Sequence, residues 1–366
     1  MRHLATIKTI DEITPIPNAD KIECARIGGW EIVISKADGF KVGDNVVYIE
    51  IDSIMPEKPE YEFLRQRKFR VRTVKLRGQV SQGLILPLTV LPNGNWKVGD
   101  DVTEILGVKK YDPEAEEEQK AAKNNERKSR NPIVRYLMRF KWFRKIYLKP
   151  NRSGKFPDWI SKTDEERIQN MPELFERLKD EKIPLIVTEK VDGTSATYFL
   201  KREKGRFGRT TYDFGVCSRN LRILDNNGSH YWKVAEKYNL EYALKRLIRD
   251  EDYVVLQGEI TGEGIQGNKY PSDDGFRFWA FNLITPTKKY NTLEMQEILT
   301  EGFSIFCVPI ATTQFYVPET IHDLVDYVQG TSQISNRERE GCVFRNMDKR
   351  ISFKCINPNF LLKNDD

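Results

Sequence analysis

Over residues 1 to 107 the apolar positions fall in short runs cut by turn residues. "ECARIGGWEIVIS", "NVVYIEIDSIMP", "FRVRTVKLRG", "GLILPLTVL" and "DVTEILG" read as strands, and "PIPNAD", "ADGFKVGD" and "LPNGNWKVGD" as the punctuation between them. Five or so strands at this spacing predict a small β-barrel, in which "KVGDNV" and "KVGDDV" mark two equivalent hairpin corners. From about Phe156 onward the pattern changes to α+β. "NMPELFERLKDEK" and "YWKVAEKYNLEYALKRLIRDE" carry helical spacing, while "PLIVTEKVDG", "SATYFLK", "DFGVCSRN", "DYVVLQGEITG", "FRFWAFNLI", "EGCVFRN" and "RISFKCI" read as strands or strand ends. Residues 108–155 between them form a connector. It opens with the polar "DPEAEEEQKAAKNNERK" and continues as "NPIVRYLMRFKWFRKIYLKP", where Ile133, Leu137, Phe140, Phe143 and Tyr147 recur at helical spacing. Such a basic amphipathic helix can dock RNA, lie on a membrane surface or pack on a neighbouring domain, and the aromatic stripe suits packing best. The expected organisation is therefore an N-terminal barrel over 1–107, a connector over 108–155 and an α+β domain over 156–366.

Composition narrows the chemistry. The 366 residues, 39% hydrophobic, suffice for two domain cores. Five cysteines without a C-x-x-C pair argue against a zinc ribbon, a redox motif or a disulfide framework, and point to a reducing, intracellular setting. No apolar run approaches the roughly 18 residues of a membrane span, so no membrane partner is expected. Three scattered histidines leave catalysis to lysine, arginine and carboxylates. Charge is uneven: residues 127–155 hold eleven Lys/Arg and no Asp/Glu, which leaves −6 for the remainder of a chain whose net charge is +5. That asymmetry suits a polyanionic partner.

The predicted barrel carries its own cations at Arg65, Arg67, Lys68, Arg70, Arg72, Lys75 and Arg77, interleaved with Phe69. In a strand, Lys68, Arg70 and Arg72 would share one face, either tracking phosphates together with Lys75 and Arg77 or protecting a solvated strand edge. "PIPNADKIECARIGGWEIVIS" followed by "VKLRGQVSQGLILPL" resembles the OB-fold tRNA-binding modules appended to synthetases, which implies single-strand nucleic-acid binding by basic and aromatic side chains.

In the second domain "TEKVDGT" places Lys190 between two apolar runs, two residues ahead of an Asp-Gly. By itself this is a turn with a solvated lysine. Downstream, in order, stand "CSRN" (Arg219), "LQGEITGEGIQGN" (Glu259), "FWAFNL" (Phe281, Asn282), "EGCVFR" (Glu340, Arg345) and "ISFKCINPNFLLK" (Lys354, Lys363). Taken singly, Glu259 is a strand-end carboxylate, Phe281 a core residue, Arg219 the partner of a surface acid and Lys354 a solvent-facing strand residue. Taken in order, the series resembles the motifs of the covalent nucleotidyltransferase superfamily, which includes ligases and capping enzymes.

That resemblance implies attack by Lys190 on the α-phosphorus of ATP, which requires a deprotonated amine and hence a depressed pKa. Lys354, Arg219 and a hard divalent cation, Mg²⁺ or Mn²⁺, would face the phosphate. Glu259 and Glu340, with Asp192 as a further member or as a turn former, are the implied metal ligands. Phe281 would stack on adenine and Gly193 would allow close backbone approach, with Glu189 and Asn282 completing the pocket.

"FPDWISKTDEERIQNMPELFE" leading into Lys190, together with the N-terminal OB-like module, resembles the ATP-dependent RNA ligases of the Deinococcus type. Only twelve residues follow Lys354, which leaves no room for the C-terminal OB domain of DNA ligases and capping enzymes. The resemblance adds Thr163, Arg167 and Gln169 to the nucleotide pocket. It implies RNA repair through lysyl-AMP and an adenylylated RNA 5′ end, with sealing at nicks in duplexes or at paired ends whose 3′-OH strand is RNA. RNA ligases often carry a motif V Lys-x-Lys; here Ser352 and Ile356 flank Lys354, so Lys354 acts alone or Lys363 or an arginine substitutes. The alternatives are a capping-type guanylyltransferase or DNA ligase, and a non-catalytic RNA-binding protein.

Overall fold

The structure, a computed structural model, describes residues 3–111, 153–204, 209–224, 226, 228–268, 270 and 275–364. The N-terminal strands are β1 (Ala5–Thr9), β2 (Glu12–Pro15), β3 (Ile22–Ile27), β4 (Trp30–Ser35), β5 (Asn45–Ile49), β6 (Ser53–Ile54), β7 (Arg70–Val71), β8 (Val74–Leu76), β9 (Gln79–Ser81), β10 (Leu84–Pro87) and β11 (Lys109–Lys110). They form three three-stranded sheets, β1-β5-β10, β2-β3-β4 and β11-β6-β7, with a β8–β9 hairpin. β4 buries every second residue, the alternation expected when one face of a strand is packed. Trp30, Ile32, Ile34 and Tyr48 fill one side of the module, and Ile7, Val47, Ile49 and Val71 the other.

The cationic segment departs from the predicted continuous strand. Residues Pro59–Arg67 form a 3₁₀ helix. Lys68 and Phe69 follow it in the left-handed region, at φ 51° and 60°, and only Arg70–Val71 is strand. Two consecutive left-handed residues break the period of two, so Lys68, Arg70 and Arg72 share no strand face. Phe69 drops into the core, Lys68, Lys75 and Arg77 stay exposed, and Arg70 turns inward.

Both described ends of the segment expected to be a connector are strands. β11 pairs with β6, and β12 (Ser153–Lys155) pairs with the strand Leu221–Ile223. The predicted basic helix lies outside the described residues.

The following strands are β13 (Leu185–Glu189), β14 (Thr194–Lys204), β15 (Thr210–Cys217), β16 (Leu221–Ile223), β17 (Tyr253–Gly262), β18 (Phe276–Ile284), β19 (Ile310–Phe315), β20 (Gly341–Asn346) and β21 (Ile351–Ile356). A six-stranded sheet, β12-β16-β15-β14-β17-β18, is covered by helices His230–Lys237 and Leu240–Leu247 through Val234, Leu240 and Leu244. A four-stranded sheet, β19-β13-β20-β21, is covered by helices Pro172–Asp180 and Ile321–Tyr327 through Phe175, Leu178 and Leu324. The chain passes from the second sheet to the first over residues 190–193, between β13 and β14. The lysine of "TEKVDGT" therefore sits on the strap joining two sheets, where both sheets' strand ends converge.

The barrel packs directly on this assembly. The indole Nε1 of the fully buried Trp30 donates to Asn170 Oδ1 at 2.9 Å, Asn170 Nδ2 donates to Glu50 and Glu166, and Leu361 packs against the barrel core.

Candidate active site

A cavity of about 530 Å³ lies where the strap, both sheets and the barrel meet. Lys190 Nζ donates to both carboxylate oxygens of Glu340, each at 2.7 Å. Burial alone would lower the pKa of this amine. The charges of Glu340, Glu259 and Asp192 and the bond to Glu340 outweigh it, so the amine is held above its ordinary value. The depressed pKa expected for attack therefore needs positive charge beside these carboxylates, as a divalent cation would supply.

The backbone explains the convergence. Lys190 N donates to Gly341 O at 2.9 Å, which fixes the strap beside the start of β20 and its preceding Glu340. Glu259 lies in β17 opposite Ser195 of β14 and Trp279 of β18. A Cβ on Gly193 would lie 2.3 Å from the Ile260 carbonyl oxygen, so the strap crosses β17 at a distance only glycine permits. Asp192 N reaches Tyr270 Oη at 3.5 Å.

Phe281 reaches the cavity through a β-bulge. Gln257 pairs with Asn282 and Gly258 with Ala280, leaving Phe281 as the extra residue of β18. Arg345 Nη1 donates to its carbonyl at 2.7 Å, while Nη2 meets Glu165 Oε1 at 3.0 Å and Nε donates to Ser352 Oγ at 3.3 Å. The guanidinium, buried and lining the cavity, thus lies against Ser352, one of the two positions considered for the missing motif V lysine. Lys363 instead pairs with Glu338 at 2.6 Å and does not line the cavity.

Of the residues singled out from sequence, Lys190, Glu259, Glu340, Lys354, Arg219, Thr163, Arg167, Glu189, Asp192, Gly193 and Phe281 line this one cavity. Gln169 and Asn282 do not. Gln169 is buried against Gly29 of the β3–β4 turn, and Asn282 Nδ2 donates to Gln257 Oε1 at 2.9 Å beneath the sheet. Arg219 pairs with Asp164 at 2.5 Å, as does Lys110, and the two cations hold the Asp164 carboxyl below its usual range against the opposing effect of burial. Glu189 accepts from Ser332 Oγ and from Gln333 N, and burial pushes its pKa up.

Arg167 is 4% exposed, and its Nε and Nη1 find no hydrogen-bond partner among the described residues; Nη2 reaches Asp52 Oδ2 at 3.2 Å. A buried guanidinium with two open donors on a cavity wall is built for an anion. Among the nucleic-acid candidates Arg70 also lines the cavity, with Asp52, Lys110 and Tyr111 from the same module. Sequence reasoning gave these barrel residues no part in the site and gave Arg345 no role. Arg345 carried a signal, since Val343 and Arg345 share a strand parity and both line the cavity.

Among the described residues no three His, Cys, Asp or Glu side chains close into a metal-binding group, and no helix is long and apolar enough to cross a membrane. The donors around Lys190 are all carboxylate oxygens, the chemistry of a hard cation whose shell water and phosphate complete.

Two family models match the chain: "OB-fold domain" over residues 4–88 and "RNA ligase" over residues 183–363. Among solved structures, a Naegleria gruberi RNA ligase mutant with ATP and Mn is 34% identical, with 99% of each chain covered and a TM-score of 0.78. The Naegleria gruberi RNA ligase with PPi is 34% identical, with 100% of each chain covered and a TM-score of 0.77. A further mutant of that ligase, with AMP and Mn, is 34% identical over 100% of both chains with a TM-score of 0.77. No curated protein matches the chain.

Proposed function

The chain belongs to the ATP-dependent RNA ligases, and on that premise we propose that it repairs RNA by sealing 3′-OH and 5′-phosphate ends at nicks whose 3′-OH strand is RNA, with Lys190 as nucleophile. The observation that carries the assignment is the Lys190 amine, held by Glu340 beside Asp192 and Glu259 in a cavity whose walls bear Lys354 and Arg167.

Once its amine has lost a proton, Lys190 attacks the α-phosphorus of ATP. A P–N bond forms, the bond to the bridging oxygen breaks, and pyrophosphate leaves in line with the attack. Lys354 faces the α-phosphate as charge builds there, and the open donors of Arg167 take the phosphates beyond it. Phe281, held out by its bulge, stacks on adenine, and Glu189 lines the same pocket. Asp192, Glu259 and Glu340 would hold Mg²⁺ or Mn²⁺, whose charge offsets these carboxylates and favours the neutral amine. An oxygen of the RNA 5′-phosphate then displaces Lys190 from the adenylate. The 3′-OH attacks the resulting 5′-phosphate and expels AMP, which seals the strand.

The test is incubation with α-labelled ATP or GTP and Mg²⁺ or Mn²⁺, beside Lys190→Ala, followed by nicked duplexes with RNA or DNA on the 3′-OH side. Label from ATP alone, lost in the variant, with sealing confined to RNA 3′-OH strands, is the expected result. Label from GTP would transfer the assignment to capping chemistry.

A further inference from the structure

The edge strand β18 carries an aromatic and cationic surface outside the cavity. Its side chains alternate: Phe278 and Ala280 enter the core beneath the helices, while Trp279 packs on the other face with Val191 of the strap, Tyr270 and Val308. Arg277, two residues before Trp279, shares that face and lies about 10–13 Å along the strand from Phe281. Its guanidinium sits 5.7 Å over the Trp279 ring and 5.1 Å over the Phe306 ring, and the two rings tilt together with centroids 5.7 Å apart. Trp279 Nε1 donates to Thr261 Oγ1 at 3.0 Å, which fixes the indole. Phe306 is 42% exposed, yet its backbone is pinned to the sheet edge: Ala280 N donates to Phe306 O at 2.8 Å, and Val308 N to Ala280 O at 2.9 Å. Tyr238 meets the Phe306 ring edge-on, with centroids 6.5 Å apart. Around the strand edge, helix His230–Lys237 adds Lys233 and Lys237, one turn apart and both exposed. Lys237 Nζ donates to Phe276 O at 2.8 Å, and Lys233 Nζ lies 5.6 Å over the Phe276 ring. Glu236, the acid between them in sequence, accepts from Asn226 Nδ2 at 2.5 Å.

We propose that this surface grips the RNA substrate beside the site of sealing, with a base stacked on Phe306 and phosphates on Arg277, Lys233 and Lys237. A single exposed phenylalanine needs no explanation. One held on a fixed backbone among three cations fits a polyanion whose bases offer flat faces, because surfaces that grip a nucleic-acid strand stack bases on aromatic rings and track phosphates with positive charge. The proposal rests on the ligase reading and adds to it a hold on RNA within the catalytic domain, on the sheet face that also bears Phe281. Phe306, Lys233 and Lys237 do not line the cavity, so adenylylation of Lys190 does not use them.

Three measurements on the full-length protein test this surface. They are adenylylation by ATP, affinity for a nicked RNA duplex across a salt series, and the KM for sealing a nick whose 5′ end is already adenylylated. Wild-type protein is measured first: if it takes no label from ATP or seals no RNA, the ligase reading fails and the proposal falls with it. With those activities in place, the double variant Lys233→Ala, Lys237→Ala should reduce the slope of log affinity against log salt by about 1.4 to 1.8, the loss of two phosphate contacts. Phe306→Ala should weaken RNA binding and raise the sealing KM roughly 5- to 100-fold at an unchanged salt slope, and Phe306→Trp should restore both by returning a ring that stacks. Adenylylation should stay within about twofold of wild type in every variant, because that step precedes RNA. Unchanged affinity, slope and sealing KM in both the lysine variant and Phe306→Ala would overturn the proposal and leave the surface to a protein partner. An equal fall in adenylylation and sealing that Phe306→Trp does not restore would overturn it too, marking residues needed only for folding.

Discussion

Replacing Gly193 with alanine tests whether the strap sets the position of the nucleophile. The added Cβ would lie 2.3 Å from the Ile260 carbonyl oxygen and 3.0 Å from Glu259 Cγ. To reach the 3.4 Å of ordinary contact, strap or strand must retreat by about 1.1 Å. β17 is bonded on both sides, to β14 and β18, so the strap is the element that yields. It carries Lys190 three residues away, and a displacement of about 1 Å of a reacting group costs on the order of 100-fold in rate. That corresponds to about 2.7 kcal/mol of lost transition-state stabilisation. The strain itself should cost about 1–3 kcal/mol of stability. Single-turnover transfer of label from α-labelled ATP gives the first quantity, and thermal unfolding the second. Gly302→Ala is the matched control, since a Cβ there meets nothing within 4 Å and φ is −81°. A Gly193→Ala protein that adenylylates at the wild-type rate would refute the claim that close approach of the strap fixes Lys190.

Arg345→Lys keeps a charge but loses the fork that holds the Phe281 carbonyl, Glu165 and Ser352 together. The ATP KM should rise roughly tenfold through a loosened base pocket, with kcat changed much less, and an unchanged KM would count against the pinned bulge. Glu340→Gln removes the largest charge raising the Lys190 amine. In metal-free buffer the variant's Lys190 should therefore react faster with an amine-directed reagent at a given pH, and equal rates would contradict the clamp. His230 is kept neutral by burial, with Lys233 adding to the effect, and its pKa is lowered to about 4. The unfolded chain binds that proton near pH 6.5, so this contribution to stability is fully present above about 6.5 and is lost as pH falls towards about 4. His230→Gln should flatten the dependence of the melting temperature on pH across that window, and an unaltered slope would exclude His230 as its source.

Much of the site was legible because polar residues stand out against the apolar runs that mark the strands. Lys190 and Glu340 lie just beyond strand ends, and Glu259 and Lys354 interrupt apolar strands from within. Phe281 was legible only through motif order, because a bulge has no signature in the alternation of β18. The errors have a common physical source in side-chain direction. Asn282, next to Phe281, points beneath the sheet, and Gln169 turns to Gly29 while its neighbour-but-one Arg167 enters the cavity. The run from Lys68 to Arg72 failed as a strand because two left-handed residues follow the 3₁₀ helix, and nothing in "RKFRVR" announces them. The raised pKa of Lys190 was out of reach for a different reason, since it depends on three carboxylates brought in from separate strands.

Lys190, Glu340 and Lys354 stand at β13, β20 and β21, neighbours in one four-stranded sheet. Their spacing is inherited from a backbone ladder, so replacing any one of these three side chains leaves the positions of the other two unchanged. Arg70 and Asp52 reach the same cavity from a different module, through side-chain contacts. Substitution in the barrel would therefore reshape that wall of the cavity while the ladder that spaces Lys190, Glu340 and Lys354 stays intact.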